Sequence, residues 1–120
     1  MLPENPKEML KRVDEVVKRV RAVSKDDDTY LAPYFALRGT LLNQMGRYDE
    51  ALISFDKAIS LDVHNETDAW YNRGVMFLER DNLDEALRSF NKMLEINPND
   101  EDAIHNRKVV LLKQSQRYGK

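Results

Sequence analysis

Apolar residues recur at intervals of three and four along almost the whole chain, the period of helices that bury one face. Leu10, Val13, Val16, Val17, Val20 and Val23 form the first such row, with Lys11, Asp14, Glu15, Lys18, Arg19 and Arg21 on the other faces. This predicts an amphipathic helix over residues 6–24. Pro6 suits its first turn, where a missing N–H has no partner to lose, and the cations near its far end oppose the helix dipole. Its valines lower intrinsic propensity, so tertiary contact must hold it. Asp26-Asp27-Asp28-Thr29 then breaks the pattern, because like charges repel and Asp and Thr compete for local backbone bonds. The spaced oxygens and the Gly of a calcium loop are absent there, so the stretch reads as a helix break.

The period resumes over residues 30–45, 48–61, 67–80 and 83–96, with turns at Gly46-Arg47 and Asp81-Asn82. Gly46 supplies the positive φ that closes a helix, Pro33 is tolerated in a first turn, and Asn82 with Glu85 makes a capping pair. Asp49, Glu50, Asp84 and Glu85 place negative charge at helix N-termini, where the dipole favours it. These helices are one pattern written twice. Gly39 and Gly74 stand 35 residues apart, as do Ala51 and Ala86, and Asp49-Glu50-Ala51-Leu52-x-Ser54-Phe55-x-Lys57 returns as Asp84-Glu85-Ala86-Leu87-x-Ser89-Phe90-x-Lys92. A fixed period of that size means stacked helical units. From about Asp100 a third copy begins. Ala103, Ile104, Val110 and Leu111 fall where a third first helix buries its apolar face, but Lys108 takes the slot of Gly39 and Gly74 and no Ala-x-x-x-Phe follows. Residues 101–115 therefore read as a terminal capping helix, and residues 116–120 as frayed.

The aromatic, Gly and Ala-x-x-x-Phe spacings (Phe35, Gly39, Leu42, Ala51, Phe55; Trp70, Gly74, Phe77, Ala86, Phe90, Pro98) resemble the tetratricopeptide repeat. The resemblance implies an all-α fold, a right-handed superhelical α-solenoid of antiparallel helix pairs. On this reading residues 1–120 form a single domain: the N-terminal helix 6–24, a first repeat 32–65, a second repeat 67–100 and the cap 101–115. Gly39 against Ala51 and Gly74 against Ala86 mark the close helix crossings, and Phe35, Leu42, Phe55, Trp70, Phe77 and Phe90 fill the space between helices. The chain departs from the family where Arg38 and Arg73 replace a Leu, Val63 replaces a Pro, and Met93 takes the slot of Ala58. Arg38 and Arg73 read as ion-pair partners of acids on neighbouring helices.

Composition narrows the function. Nineteen Lys and Arg against 21 Asp and Glu leave a net charge of −2, no electrostatic footprint for nucleic acid. There is no Cys, no apolar run long enough for a membrane span, and no basic-then-apolar layout at the start, so a soluble cytoplasmic protein is expected. The two histidines, His64 and His105, lack metal-ligand spacing, and no phosphate loop or nucleophile motif is visible. We therefore expect no enzyme, no cofactor and no metal. Asn65-Glu66-Thr67 reads as a helix cap.

The resemblance implies a protein-interaction module that takes a peptide or a partner helix in the concave groove lined by the first helices. Projected onto this chain, the first wall carries Ala36, Thr40, Asn43 and Gln44. The second carries Asp68, Tyr71, Asn72, Val75, Leu78 and Glu79, and the third His105, Asn106, Val109, Leu112 and Lys113. Tyr71, Val75, Leu78, Val109 and Leu112 are more apolar surface than a soluble helix needs to expose, unless neighbouring helices bury several of them. One branch of the family grips a chaperone's C-terminal carboxylate with cations and Asn residues. Asn72 fits an Asn slot of that clamp, but Ala36 and Asp102 stand where Lys is needed and Thr40 where another Asn is, so the carboxylate has no charge partner. The rival readings are a structural or self-associating domain, a homodimer, and an accessory scaffold subunit of a larger complex.

Overall fold

The computed structural model describes residues 5–23, 27–62 and 66–119. The expected helix end at Ser24, the break at Asp26, the Val63 and His64 positions, the Asn65 cap and the terminus at Lys120 lie outside the described residues. Six helices follow one another: α1 (Pro6–Val23), α2 (Ala32–Gln44), α3 (Tyr48–Leu61), α4 (Thr67–Glu79), α5 (Leu83–Ile96) and α6 (Glu101–Tyr118). The all-α class and the paired-helix plan are as the periodicity predicts, and the bounds of α3 and α5 coincide with it. The helix expected from residue 30 begins instead with a separate tight turn, Thr29–Leu31, before α2. Asp27 accepts the Thr29 N–H at 2.9 Å, which holds that break open and lowers the Asp27 carboxyl from its ordinary value.

The chain divides into two compact units, Met1–Ala69 and Trp70–Lys120. In the first, α1 lies along α2 and α2 pairs with α3. The buried Leu10, Val13 and Val17 are the apolar row of α1, while Val16 and Val20 are half-buried and Val23 is exposed. Asp14 of α1 accepts from Arg38 of α2 at 2.8 Å, and the Arg21 guanidinium lies over the Phe35 ring. Tertiary contact thus holds a valine-rich helix, as its low propensity requires. At the α2–α3 crossing a Cβ built on Gly39 would stand 2.5 Å from the Phe55 ring, so only glycine lets the ring sit there. Gly46 at φ 76° turns the chain into α3, and Arg47 donates its N–H back to the Leu42 carbonyl at 2.9 Å.

The second unit repeats this construction. A Cβ on Gly74 would stand 2.7 Å from the Phe90 ring, and Asn82 donates its N–H to the Phe77 carbonyl at 2.8 Å. The residue equivalent to Gly46 is Asp81, which holds φ 62°, in the region that L side chains enter reluctantly. Asn82 caps α5 by accepting the Glu85 N–H, and Asp100 caps α6 by accepting the Ala103 N–H at 3.0 Å. Leu83, Ala86, Phe90, Met93, Ala103 and Val110 form the core, with Trp70, Tyr71, Val75, Phe77, Leu78, Leu87 and Leu94 packed around it.

Three expectations need correction. Phe55, Phe90 and Leu42 are fully buried, but Phe35, Trp70 and Phe77 are only half-buried, because each lies at the edge of its helix pair beneath an arginine. Leu111 is 46% exposed instead of packed, since no helix of the described residues covers that side of α6 as α3 and α5 cover α2 and α4. The end of α6 does not fray at residue 116: Gln114 donates to Asp84 at 3.0 Å, Arg117 pairs with Asp81, and the helix runs to Tyr118.

The Gly74 contact yields a sharp test. Gly74→Ala adds about 1 kcal/mol of helix propensity, yet it pushes a methyl into the buried Phe90 ring, an overpacking cost of about 1–3 kcal/mol. Urea unfolding should show a net loss of stability, and Gly74→Leu a larger one. A stabilised Gly74→Ala would mean the crossing is looser than described.

Candidate functional site

The surface available to a partner is what remains after the fold has used its share of each first helix. On α2 the fold's share includes Arg38, whose Nη1 donates to the Ser54 hydroxyl at 2.7 Å while Nε reaches Asp14. On α4 it includes the buried Arg73, which donates to the Ser89 hydroxyl at 2.8 Å and to Glu85 at 2.9 Å. Its guanidinium also lies 4.9 Å from the centre of the Phe77 ring and 5.5 Å from that of Trp70. Both arginines make the ion pairs expected of them. The serines that complete each network were not foreseen, although the signal was present: a Ser follows each Arg after 16 residues in both repeats. A guanidinium this desolvated is tolerated only with its donors occupied, so Ser54 and Ser89 belong to the fold and not to a free surface.

The candidate groove residues separate by burial. In the first unit, Thr40 is half-buried and turns its hydroxyl back to the Ala36 carbonyl at 3.2 Å. Asn43 is half-buried and Gln44 exposed, while Ala36 itself is buried. In the second unit, Tyr71, Asn72, Val75 and Leu78 are half-buried and Glu79 is exposed. Tyr71 meets Phe90 edge-on with ring centres 6.3 Å apart, and Val75 and Leu78 lean on the same core. On α6, Val109 is half-buried, His105 is exposed and Leu112 is 60% exposed. The neighbouring helices thus take up much of the apolar surface expected on α4, and Leu112 is the apolar groove candidate left most open. Tyr71, Val75 and Leu78 face two ways, giving one side of each ring or branch to the core and the other to solvent.

Among the described residues one acid is buried. Glu66 precedes α4, is buried, and accepts the Ala69 N–H at 3.0 Å. Desolvation, against the pull of that bond and with Asp68 and Asp62 nearby, raises its carboxyl above the usual 4.5. Among the described residues no three His, Cys, Asp or Glu side chains gather closely enough to hold a metal ion. A shallow depression of about 420 Å³ lies on the outer face of α5, lined by Leu87, Asn91 and the charged Asp84, Arg88, Lys92 and Glu95. No helix of the described residues is long and apolar enough to cross a membrane.

Family models settle what these helix pairs are. Residues 32–63 and residues 67–100 each match a model described as the tetratricopeptide repeat, together more than half of the chain. The chain belongs to the tetratricopeptide repeat family. The two matched segments are the α2–α3 and α4–α5 pairs, so the two glycine crossings lie one in each of two successive tetratricopeptide repeats. Such repeats are generally protein-interaction modules, and their typical role is that of a non-catalytic scaffold. Among curated proteins, none matches the chain.

Glu66 supplies a pH prediction. Its folded pKa is raised, so its favourable contribution is fully present below the ordinary value of 4.5 and is lost as pH rises through the folded value. Glu66→Gln keeps an acceptor for Ala69 and removes the buried charge. The variant should be more stable than the parent near pH 7, with the advantage shrinking as pH falls toward 4, read by thermal melting across that range. An advantage independent of pH would assign the effect to packing.

Proposed function

We propose that this tetratricopeptide domain is a cytoplasmic, non-catalytic adaptor that binds a peptide or an amphipathic helix of a partner protein through the exposed sides of its first helices. The observation that carries the reading is the pair of consecutive repeats, each with its first-helix arginine sequestered by the fold and another face of the same helix left to solvent. Thr40, Asn43 and Gln44 on α2 supply polar contacts, as do Asn72 and Glu79 on α4 and His105 on α6. Tyr71, Val75, Leu78, Val109 and Leu112 supply the apolar centre. Half-buried aromatic and aliphatic side chains suit this role, since a rigid anchor loses little entropy when a ligand covers its second side.

The test follows from the burial pattern. Tyr71→Ala would weaken the fold as well as the face, because Tyr71 packs on Phe90. Leu112→Glu with Glu79→Lys changes only exposed positions, so melting should stay within about 0.5 kcal/mol of the parent. Capture of a native partner from lysate, quantified by mass spectrometry, should fall about thirtyfold, the loss of one anchor of about 2 kcal/mol. The control, Arg88→Ala with Lys92→Ala on the outer face of α5, should retain the partner. Retention by the first pair and loss by the control would move the site to the α5 depression.

A further inference from the structure

We propose that Arg38 is the pivot of a carboxylate exchange that sets how firmly the first repeat holds α1, with the Arg47–Glu50 pair as its control. The two repeats display the two settings. In the second, Arg73 of α4 takes its carboxylate from Glu85, in the first turn of the helix that follows. Glu50 stands at the same place in the first turn of α3, 35 residues earlier, as Arg38 does relative to Arg73. Arg38 nevertheless takes its carboxylate from Asp14 of the preceding helix α1, at 2.8 Å. The serine contact is shared: Nη1 of each arginine donates to the hydroxyl 16 residues on, at 2.7 Å in the first repeat and 2.8 Å in the second. The difference lies in the acid.

The acid of α3 is already taken. Arg47, immediately before α3, donates through Nε and Nη2 to the two carboxylate oxygens of Glu50, the Nη2 bond at 2.7 Å. The residue at that place in the second repeat is Asn82, which accepts the Glu85 N–H and leaves the Glu85 carboxylate to Arg73. A neutral Asn thus goes with the acid of the following helix, and a cationic Arg with the acid of the preceding one. Glu50 nonetheless stays near Arg38: its carboxyl is held below its ordinary value first by the Arg47 bond, and the Arg38 charge lowers it further. Arg38 therefore has two acids in reach, one on α1 and one on α3. Release of α1 does not leave the guanidinium without a carboxylate to turn to, and it uncovers the side of α2 that carries Phe35 and Arg38. The remaining hold on α1 is its buried row, Leu10, Val13 and Val17, and the Arg21 guanidinium over Phe35. Its valines add little propensity of their own, so a change in docking is expressed as opening of the helix.

Native-state hydrogen exchange of the full chain, followed by NMR, measures the opening of α1 separately from that of α2 and α3. Arg47→Ala vacates Glu50 for Arg38, so the α1 amides should exchange about threefold faster, the scale of one exposed ion pair, while those of α2 and α3 change by less. Adding Glu50→Gln should return α1 to the parent rate, because Asp14 is then the acid left to Arg38. Asp14→Asn alone should speed α1 exchange to a similar extent, and Arg47→Ala should add nothing to it. The Arg38 Nε–H resonance should shift in Arg47→Ala and move back in the double variant. Unchanged α1 exchange in Arg47→Ala, equal acceleration in all three helices, or an effect that Glu50→Gln does not reverse would overturn the proposal. Asp14, Arg47 and Glu50 are all exposed, so the variants keep the core intact. No readout depends on a bound partner, and failure here leaves the first-helix surface to its own test.

Discussion

The contact between a glycine and a phenylalanine ring, made once in each repeat, is the constraint on which the rest depends. With no Cβ at Gly39 or Gly74, the rings of Phe55 and Phe90 lie directly against the preceding helix backbone and are removed from solvent. That proximity fixes the crossing of α2 with α3 and of α4 with α5, and it brings the adjacent arginine within reach of the serine that immediately precedes the ring. The polar network is therefore a consequence of close packing. Were the helices farther apart, Arg38 and Arg73 would have to find other partners or remain in water.

This arrangement also explains how a strongly charged chain keeps a usable surface. The half-buried Arg38 and the buried Arg73 each donate to a hydroxyl and a carboxylate, which favours one register of the helix pair. The aromatic rings beneath Arg73 lie half-covered at the edge of the pair, where a cation shields them from water. The exposed residues on the remaining faces, such as Gln44, Glu79 and Leu112, are thereby freed from any duty to hold the repeat closed.

Much of the fold was legible because it rests on short-range rules. The three-and-four spacing gave six helices, Gly46 gave the first turn, and Asn82 with Glu85 gave the start of α5. What escaped depends on contacts between residues far apart in sequence. Ser54 and Ser89 read as ordinary helix-surface residues until the arginines reach them, and the last turn of α6 read as frayed because Asp84 and Asp81 lie 30 and 36 residues from their partners. The candidate face was legible as a set of positions but not as a set of exposures. Periodicity places Tyr71, Val75 and Leu78 on one side of α4, whereas the portion of each side chain that the core takes depends on the bulk of Phe90 and its neighbours. Leu111 was misjudged for a related reason: in two copies its equivalents are covered by a following helix, and that cover is missing among the described residues of the third.

Asp81 carries a wider implication. Where the first repeat turns on a glycine, the second turns on an aspartate whose carboxylate holds Arg117 at the far end of α6. A residue that accepts a left-handed backbone and anchors a distant helix joins two events that would otherwise be independent, the loosening of a turn and the peeling of a terminus. Separation of α6 from Asp81 would remove an exposed ion pair of about 0–1 kcal/mol from the turn. The turn between α4 and α5 and the end of α6 thus share a contact, for which Gly46 has no side chain in the first repeat.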